Sequence, residues 1–77
     1  MRKRKEPVSL ASIRVDVGVT QVSLAEALDV TQAEVSRIEY SKDPKVSTIR
    51  RYIESLGGEL YIVAVVDGEE RYLTFDP

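Results

Sequence analysis

The sequence predicts a mainly α-helical fold: a four-helix domain built round a helix-turn-helix, with a β-hairpin at its C-terminal end. Three observations predict it. Between Gly18 and Glu39, two short stretches with apolar residues at helical spacing are joined by only four residues, Leu28-Asp29-Val30-Thr31, the connection a helix-turn-helix uses. Farther on, Ile49, Tyr52, Ile53 and Leu56 fall on one helical face that stops at Gly57-Gly58. Beyond the glycines the period changes, and Glu59 to Val66 becomes β-branched, aromatic and almost wholly apolar before an Asp67-Gly68 turn signal. Seventy-seven residues suffice for one modest core. The expected parts are a basic N-terminal arm (1–7), a helical domain (8–57) and a hairpin (58–77).

Taken in order, Arg2-Lys3-Arg4-Lys5 forms the arm, which either stays solvated or reaches phosphates and a minor groove. A first helix is expected from Ser9 to Val17, with Leu10, Ile13 and Val17 on its apolar face and Gly18 as its stop; the alternation of Val15 and Val17 leaves a short strand as the competing reading. The second helix is capped by Thr20 and turns Leu24, Ala25 and Leu28 inward, with Ala25 at a helix crossing that admits only a methyl. Asp29 is expected in the left-handed conformation of the turn. Thr31 caps the third helix, which carries Val35 and Ile38 inward. A loop follows through Pro44, and Ser47 is expected to cap a fourth helix from Thr48 to Leu56.

The hairpin pairs Glu59–Val66 with Arg71–Phe75. Both alternating faces of its first strand are apolar: Tyr61, Val63 and Val65 on one, Leu60, Ile62, Ala64 and Val66 on the other. Isolated hairpins are marginal in water and leave two unpaired edges, so something must cover this surface. A second copy, a different protein, or the domain's own core would each do so. Leu60, Tyr61, Ile62, Val63, Val65, Leu73 and Phe75 are the expected dimer or partner interface.

With Val35 and Ile38 turned inward, the third helix leaves Gln32, Ala33, Ser36 and Arg37 on its outer face near its start. These are base-reading chemistries: Gln pairs twice with adenine, Arg twice with guanine, and a methyl packs on thymine. Glu34 either accepts from a cytosine amino group or favours the helix N-terminus electrostatically. Glu39 is expected in structural hydrogen bonds or ion pairs. Thr20, Gln21 and Thr31 at helix starts, with Ser41, Lys42, Lys45 and Thr48 beyond the third helix, are the expected phosphate contacts.

The net charge of −2 has the wrong sign for a nucleic-acid binder until it is divided. Residues 1–51 hold ten Lys/Arg against seven Asp/Glu, a net +3, whereas residues 52–77 hold one against six, a net −5. A mildly basic front and an acidic back suggest two surfaces with different partners. Hydrophobic residues at 43% and charged ones at 31% match a globular chain rather than a disordered one. With no Cys and no His, the sequence lacks disulfides, thiolate metal sites and the commonest general base, and no phosphate-cradling glycine loop is present. Catalysis, a metal and a cofactor are not expected. No apolar run reaches membrane-spanning length, so a cytoplasmic protein is expected. A helical module that binds only proteins is the other non-enzymatic class; the placement of Gln32 and Arg37 argues against it.

Ile13-Arg14, then Gly-Val-Thr-Gln at 18–21, then LAEALDVTQAEVSRIE from Leu24 to Glu39, resemble the phage-repressor-like (Xre/Cro) helix-turn-helix family. The resemblance spans Leu10 to Leu56, with Val19 in place of the usual Leu and Asp29 in place of the usual turn glycine. It implies a four-helix, lambda-repressor-like domain with Gln21, Gln32, Ala33, Ser36 and Arg37 at DNA-contacting positions. The segment STIRRYIESLGGELYIVAVVDG is similar to the C-terminal part of HigA-type antitoxins. That similarity implies repression of its own operon; a homodimer, and with it a palindromic double-stranded DNA operator, is expected from the hairpin that a second copy would cover. The similarity also implies neutralisation of a ribonuclease toxin of the RelE/HigB class, which an acidic back surface would suit; a solitary or phage-type regulator without a toxin is the alternative.

Overall fold

The computed structural model describes residues 6–75; the basic arm at residues 2–5 lies outside the described residues. The elements run α1 (Leu10–Asp16), α2 (Gln21–Leu28), α3 (Gln32–Tyr40), α4 (Val46–Ser55), β1 (Ile62–Val66) and β2 (Glu69–Leu73). These are the four helices and the hairpin expected from the sequence.

Three of the helices start on a side-chain cap: Ser9, Thr20 and Thr31 each accept from the amide three residues on. Their stops are equally local. After α1, α2 and α4 a left-handed residue (Gly18, Asp29 and Gly57, φ between 59° and 86°) reverses the chain, and the following amide reaches back to the carbonyl five residues earlier. At Asp29 that second bond is Val30 N–H to Ala25 O, 3.0 Å, which draws Val30 against the core as the chain leaves α2. The tight turn between α2 and α3 is therefore a helix stop and a helix start only two residues apart.

Leu24, Ala25 and Leu28 of α2, Val35 of α3 and Tyr52 of α4 are the buried core, with Leu10, Val19, Val30, Ile38, Ile53 and Leu56 packed around them. Helix α2 is the centre of the body and lies against both α3 and α4. Ala25, 5% exposed, is the small residue this arrangement demands.

Three expectations are corrected. Val17 does not join the apolar face of α1; that helix closes at Asp16, and Val17, at its cap, is 54% exposed. Ser47 is not the cap of α4. The helix begins two residues earlier, at Val46, with Lys45 as a cap that makes no side-chain bond. Pro44 restricts only its own φ and the residue before it, so the chain enters the helix directly after Lys45 and takes the half-buried Val46 into the first turn. The strands are also shifted: β1 starts at Ile62 and β2 at Glu69. Asp67 and Gly68, both with positive φ, form a two-residue turn that closes Val66 directly onto Glu69, and the antiparallel ladder runs from there to Ile62↔Leu73.

The hairpin is not swallowed by the helical core. Val65 and Val66 are each 62% exposed and Tyr72 74% exposed. On the face opposite Ile62 and Ala64, Tyr61 and Tyr72 meet edge to face at 5.6 Å, beside Val63 and Val65. The radius of gyration is 14.2 Å, against ~11.5 Å for a compact chain of this length.

Candidate nucleic-acid interface

Helix α3 carries the site. Val35 is fully buried, so the residues that share its face are fixed inward, and Gln32, Ala33 and Arg37 are left exposed with Ser36 half-buried beside them. The four expected base-reading residues thus share the solvent side of one nine-residue helix. Arg37 lies with its guanidinium on the Glu34 carboxylate, an exposed ion pair one turn apart. Such a pair is worth at most about 1 kcal/mol, so a base edge can displace it at little cost. Glu34 therefore has a partner that sequence reading did not provide, Arg37 itself.

Concave surfaces flank the two ends of α3. One is lined by Thr20, Gln21 and Gln32 among others. The second is lined by Arg37, Ser41, Lys45 and Thr48, with Tyr40 and Pro44 and the carboxylates of Glu34 and Asp43. The structure thus brings the expected phosphate-contacting residues to the two ends of α3, with Lys42 exposed in the loop between α3 and α4. Thr20 and Thr31 are engaged as caps, and the Ser41 hydroxyl accepts from Asp43 N–H at 3.3 Å. The start of α4 differs from the others, since the Lys45 side chain caps nothing and the first-turn amides keep their donors for an anion.

Behind α3 stands a buried polar cluster centred on Glu39, whose side chain is 4% exposed. Arg14 of α1 donates Nε to Glu39 Oε2 at 2.7 Å and also reaches Val19 O at 2.9 Å. The Tyr52 hydroxyl of α4 donates to the same carboxylate oxygen and lies 3.2 Å from Leu10 O. Gln21 Nε2 donates to Glu39 Oε1 at 2.9 Å. One carboxylate of α3 therefore ties α1, α2 and α4 to that helix. Burial pushes the Glu39 carboxyl up, but the donors from Arg14, Tyr52 and Gln21 outweigh it and hold the group below its ordinary range. Burial, then the Glu39 carboxylate, raises the Tyr52 phenol, which stays protonated as the donor it must be. Among the described residues no buried side-chain polar atom lacks a partner.

The expectation that Glu39 is structural is met, and Gln21 proves more engaged than a phosphate contact alone: its Oε1 accepts from Gln32 Nε2 at 3.2 Å. Arg14 and Tyr52 were not singled out as site residues from the sequence. A signal existed for Arg14, a cation one residue past Ile13 on a helix whose neighbours pack inward.

A helix-turn-helix family model matches residues 10–62, from the start of α1 to the first residue of β1. A Mycobacterium tuberculosis (strain H37Rv) protein named as antitoxin HigA2 is 34% identical over 71 residues, 90% of this chain and 70% of that protein. The chain belongs to the helix-turn-helix family, in its HigA group. Two solved HigA structures share the fold over nearly their whole length. Antitoxin HigA3 bound to DNA matches with a TM-score of 0.81 and 32% identity, covering 95% of this chain and 97% of that one. A HigA antitoxin described as bending DNA through a unique dimerization matches with a TM-score of 0.79 and 32% identity, covering 94% and 99%. Among the described residues, no helix is long and apolar enough to cross a membrane, and no group of acidic side chains is arranged to hold a metal ion.

Proposed function

We propose that this HigA-group chain is a sequence-specific DNA-binding repressor that controls its own operon as the antitoxin of a ribonuclease toxin of the RelE/HigB class. It acts as a cytoplasmic homodimer and not as an enzyme. The observation that carries this reading is α3, a capped helix offering Gln32, Ala33, Ser36 and Arg37 outward between two concave surfaces that present hydroxyls, amides and cations, with Glu34 and Asp43 also on the second. Gln32 and Arg37 read base edges in a major groove, while Thr20, Gln21 and Thr31 on one side and Ser41, Lys42, Lys45 and Thr48 on the other hold the phosphates. The likeness to a DNA-bound HigA3 supports the same docking.

In this reading residues 8–57 read DNA and residues 58–77 join copies of the chain. The uncovered apolar hairpin supports the second part, because pairing of two hairpins about a two-fold axis covers edges and side chains together and matches the symmetry of a palindromic operator. Leu60, Tyr61, Ile62, Val63, Val65, Leu73 and Phe75 lie in or beside this surface. Selection of binding sites from random duplex DNA, followed by co-purification with the product of the neighbouring gene, tests both claims. A palindromic consensus and a stable toxin complex are expected. A palindrome without any co-purifying toxin makes the chain a solitary regulator; no consensus at all overturns the reading.

A further inference from the structure

We propose that Glu39, buried behind the recognition helix, sets which base Gln32 prefers, by fixing the amide orientation of Gln21 and through it that of Gln32. This rests on the base-reading role of Gln32 proposed above.

The inference follows from what each group is able to donate. An ionised carboxylate only accepts, so the Gln21 amide must turn its nitrogen to Glu39 Oε1, and it does so at 2.9 Å. Its oxygen then faces outward and accepts only, and Gln32 turns its own nitrogen to it at 3.2 Å. One Gln32 N–H is thereby consumed. What remains on the exposed end is one N–H and the oxygen Oε1, a donor beside an acceptor. Adenine presents the complement in the major groove, an N7 acceptor and an N6 donor. Guanine presents two acceptors, N7 and O6, and would set O6 against the Gln32 oxygen. Were Gln21 reversed, its nitrogen would face Gln32, Gln32 would offer that nitrogen its oxygen, and both Gln32 N–H groups would be free for guanine. The charge on Glu39 excludes that second state.

The anchor is firm. Arg14 Nε and the Tyr52 hydroxyl hold Glu39 Oε2, Oε1 takes the shorter bond from Gln21 at 2.9 Å beside a longer one from Arg14 at 3.4 Å, and the three donors keep the carboxyl ionised by holding it below its ordinary range despite burial. Glu39 and Gln21 are positioning residues, and neither need touch a base.

The test uses the full chain and four duplexes that differ at a single base pair. That pair is located first with Gln32→Ala, which is expected to lose its preference at one position. Glu39→Gln can present an N–H₂ to Gln21 and so permits the reversed relay. Gln21→Leu removes the relay while leaving the Arg14–Glu39–Tyr52 cluster whole, and serves if Glu39→Gln does not fold. Each folded variant is expected to lower the adenine-over-guanine affinity ratio by about tenfold or more, the scale of one bidentate contact, on top of any uniform loss that the missing Gln21 phosphate contact adds to Gln21→Leu on all four duplexes. A merely structural role would weaken all four duplexes equally, and an unchanged ratio in the folded variants would overturn the proposal. If Gln32→Ala alters preference nowhere, the base-reading assignment falls and takes the relay with it; a Gln32-dependent preference that survives both positioning variants removes the relay alone.

Discussion

The helical body and the hairpin solve opposite problems. In the body, apolar side chains are buried and every buried polar side-chain atom among the described residues is paired, down to the single carboxylate of Glu39. In the hairpin, the most β-prone stretch of the chain holds its valines and tyrosines in solvent. The body is thus complete by itself, while the hairpin is a surface awaiting cover. In the proposed function, affinity for DNA and the assembly that sets half-site geometry belong to different parts of one short chain.

The sharpest way to break this comparison is to damage each half in turn. Leu24→Ala, at a position only 1% exposed, is expected to cost about 2–5 kcal/mol in urea unfolding and to melt the body. Val65→Thr, at a position 62% exposed, is expected to change that stability by less than about 0.5 kcal/mol while raising the dimer dissociation constant in sedimentation. A large loss of monomer stability from the hairpin change would mean that the two halves are one cooperative core. Within the body, Arg37→Ala is expected to weaken binding to the selected site by about 1–3 kcal/mol and to relax preference at one base pair, without lowering the melting temperature. Thr31→Ala removes the bond to Glu34 N–H and is expected to cost about 1 kcal/mol of stability.

Acid sharpens the contrast further. The folded Glu39 carboxyl lies below its ordinary value, so the unfolded chain takes up that proton first. Its contribution is whole above the unfolded carboxyl range, ~4.3, and is lost as pH falls through the lower folded value. Unfolding followed below that pH is expected to show a steeper loss in the parent than in Glu39→Gln.

Where local chemistry decides, the sequence was legible. Thr20, Thr31 and Asp29 announce the helix-turn-helix because caps and left-handed turns are properties of a few adjacent residues, and the outward set on α3 follows once Val35 is placed inward. The start of the fourth helix differs from the expectation because Ser47 is the better capping residue on local grounds, whereas the helix starts at Val46 after Lys45, with no side-chain cap. Val17 has the right spacing but lies past the end of α1. The Glu39 relay joins residues 14, 21, 32, 39 and 52, and no periodicity links these across four helices. That the hairpin stands clear of the body also depended on tertiary packing, although its two apolar faces already signalled a need for cover.

Whether α3 selects a DNA sequence decides the proposed function. The measurement is a binding titration of the chain on DNA from immediately upstream of its own gene, beside a scrambled duplex, at two salt concentrations, because phosphate contacts alone can mimic affinity. The account predicts a preference of about a thousandfold or more for the upstream DNA, the range of specific binders, persisting at the higher salt. Equal affinity for the two duplexes at both salts would contradict it.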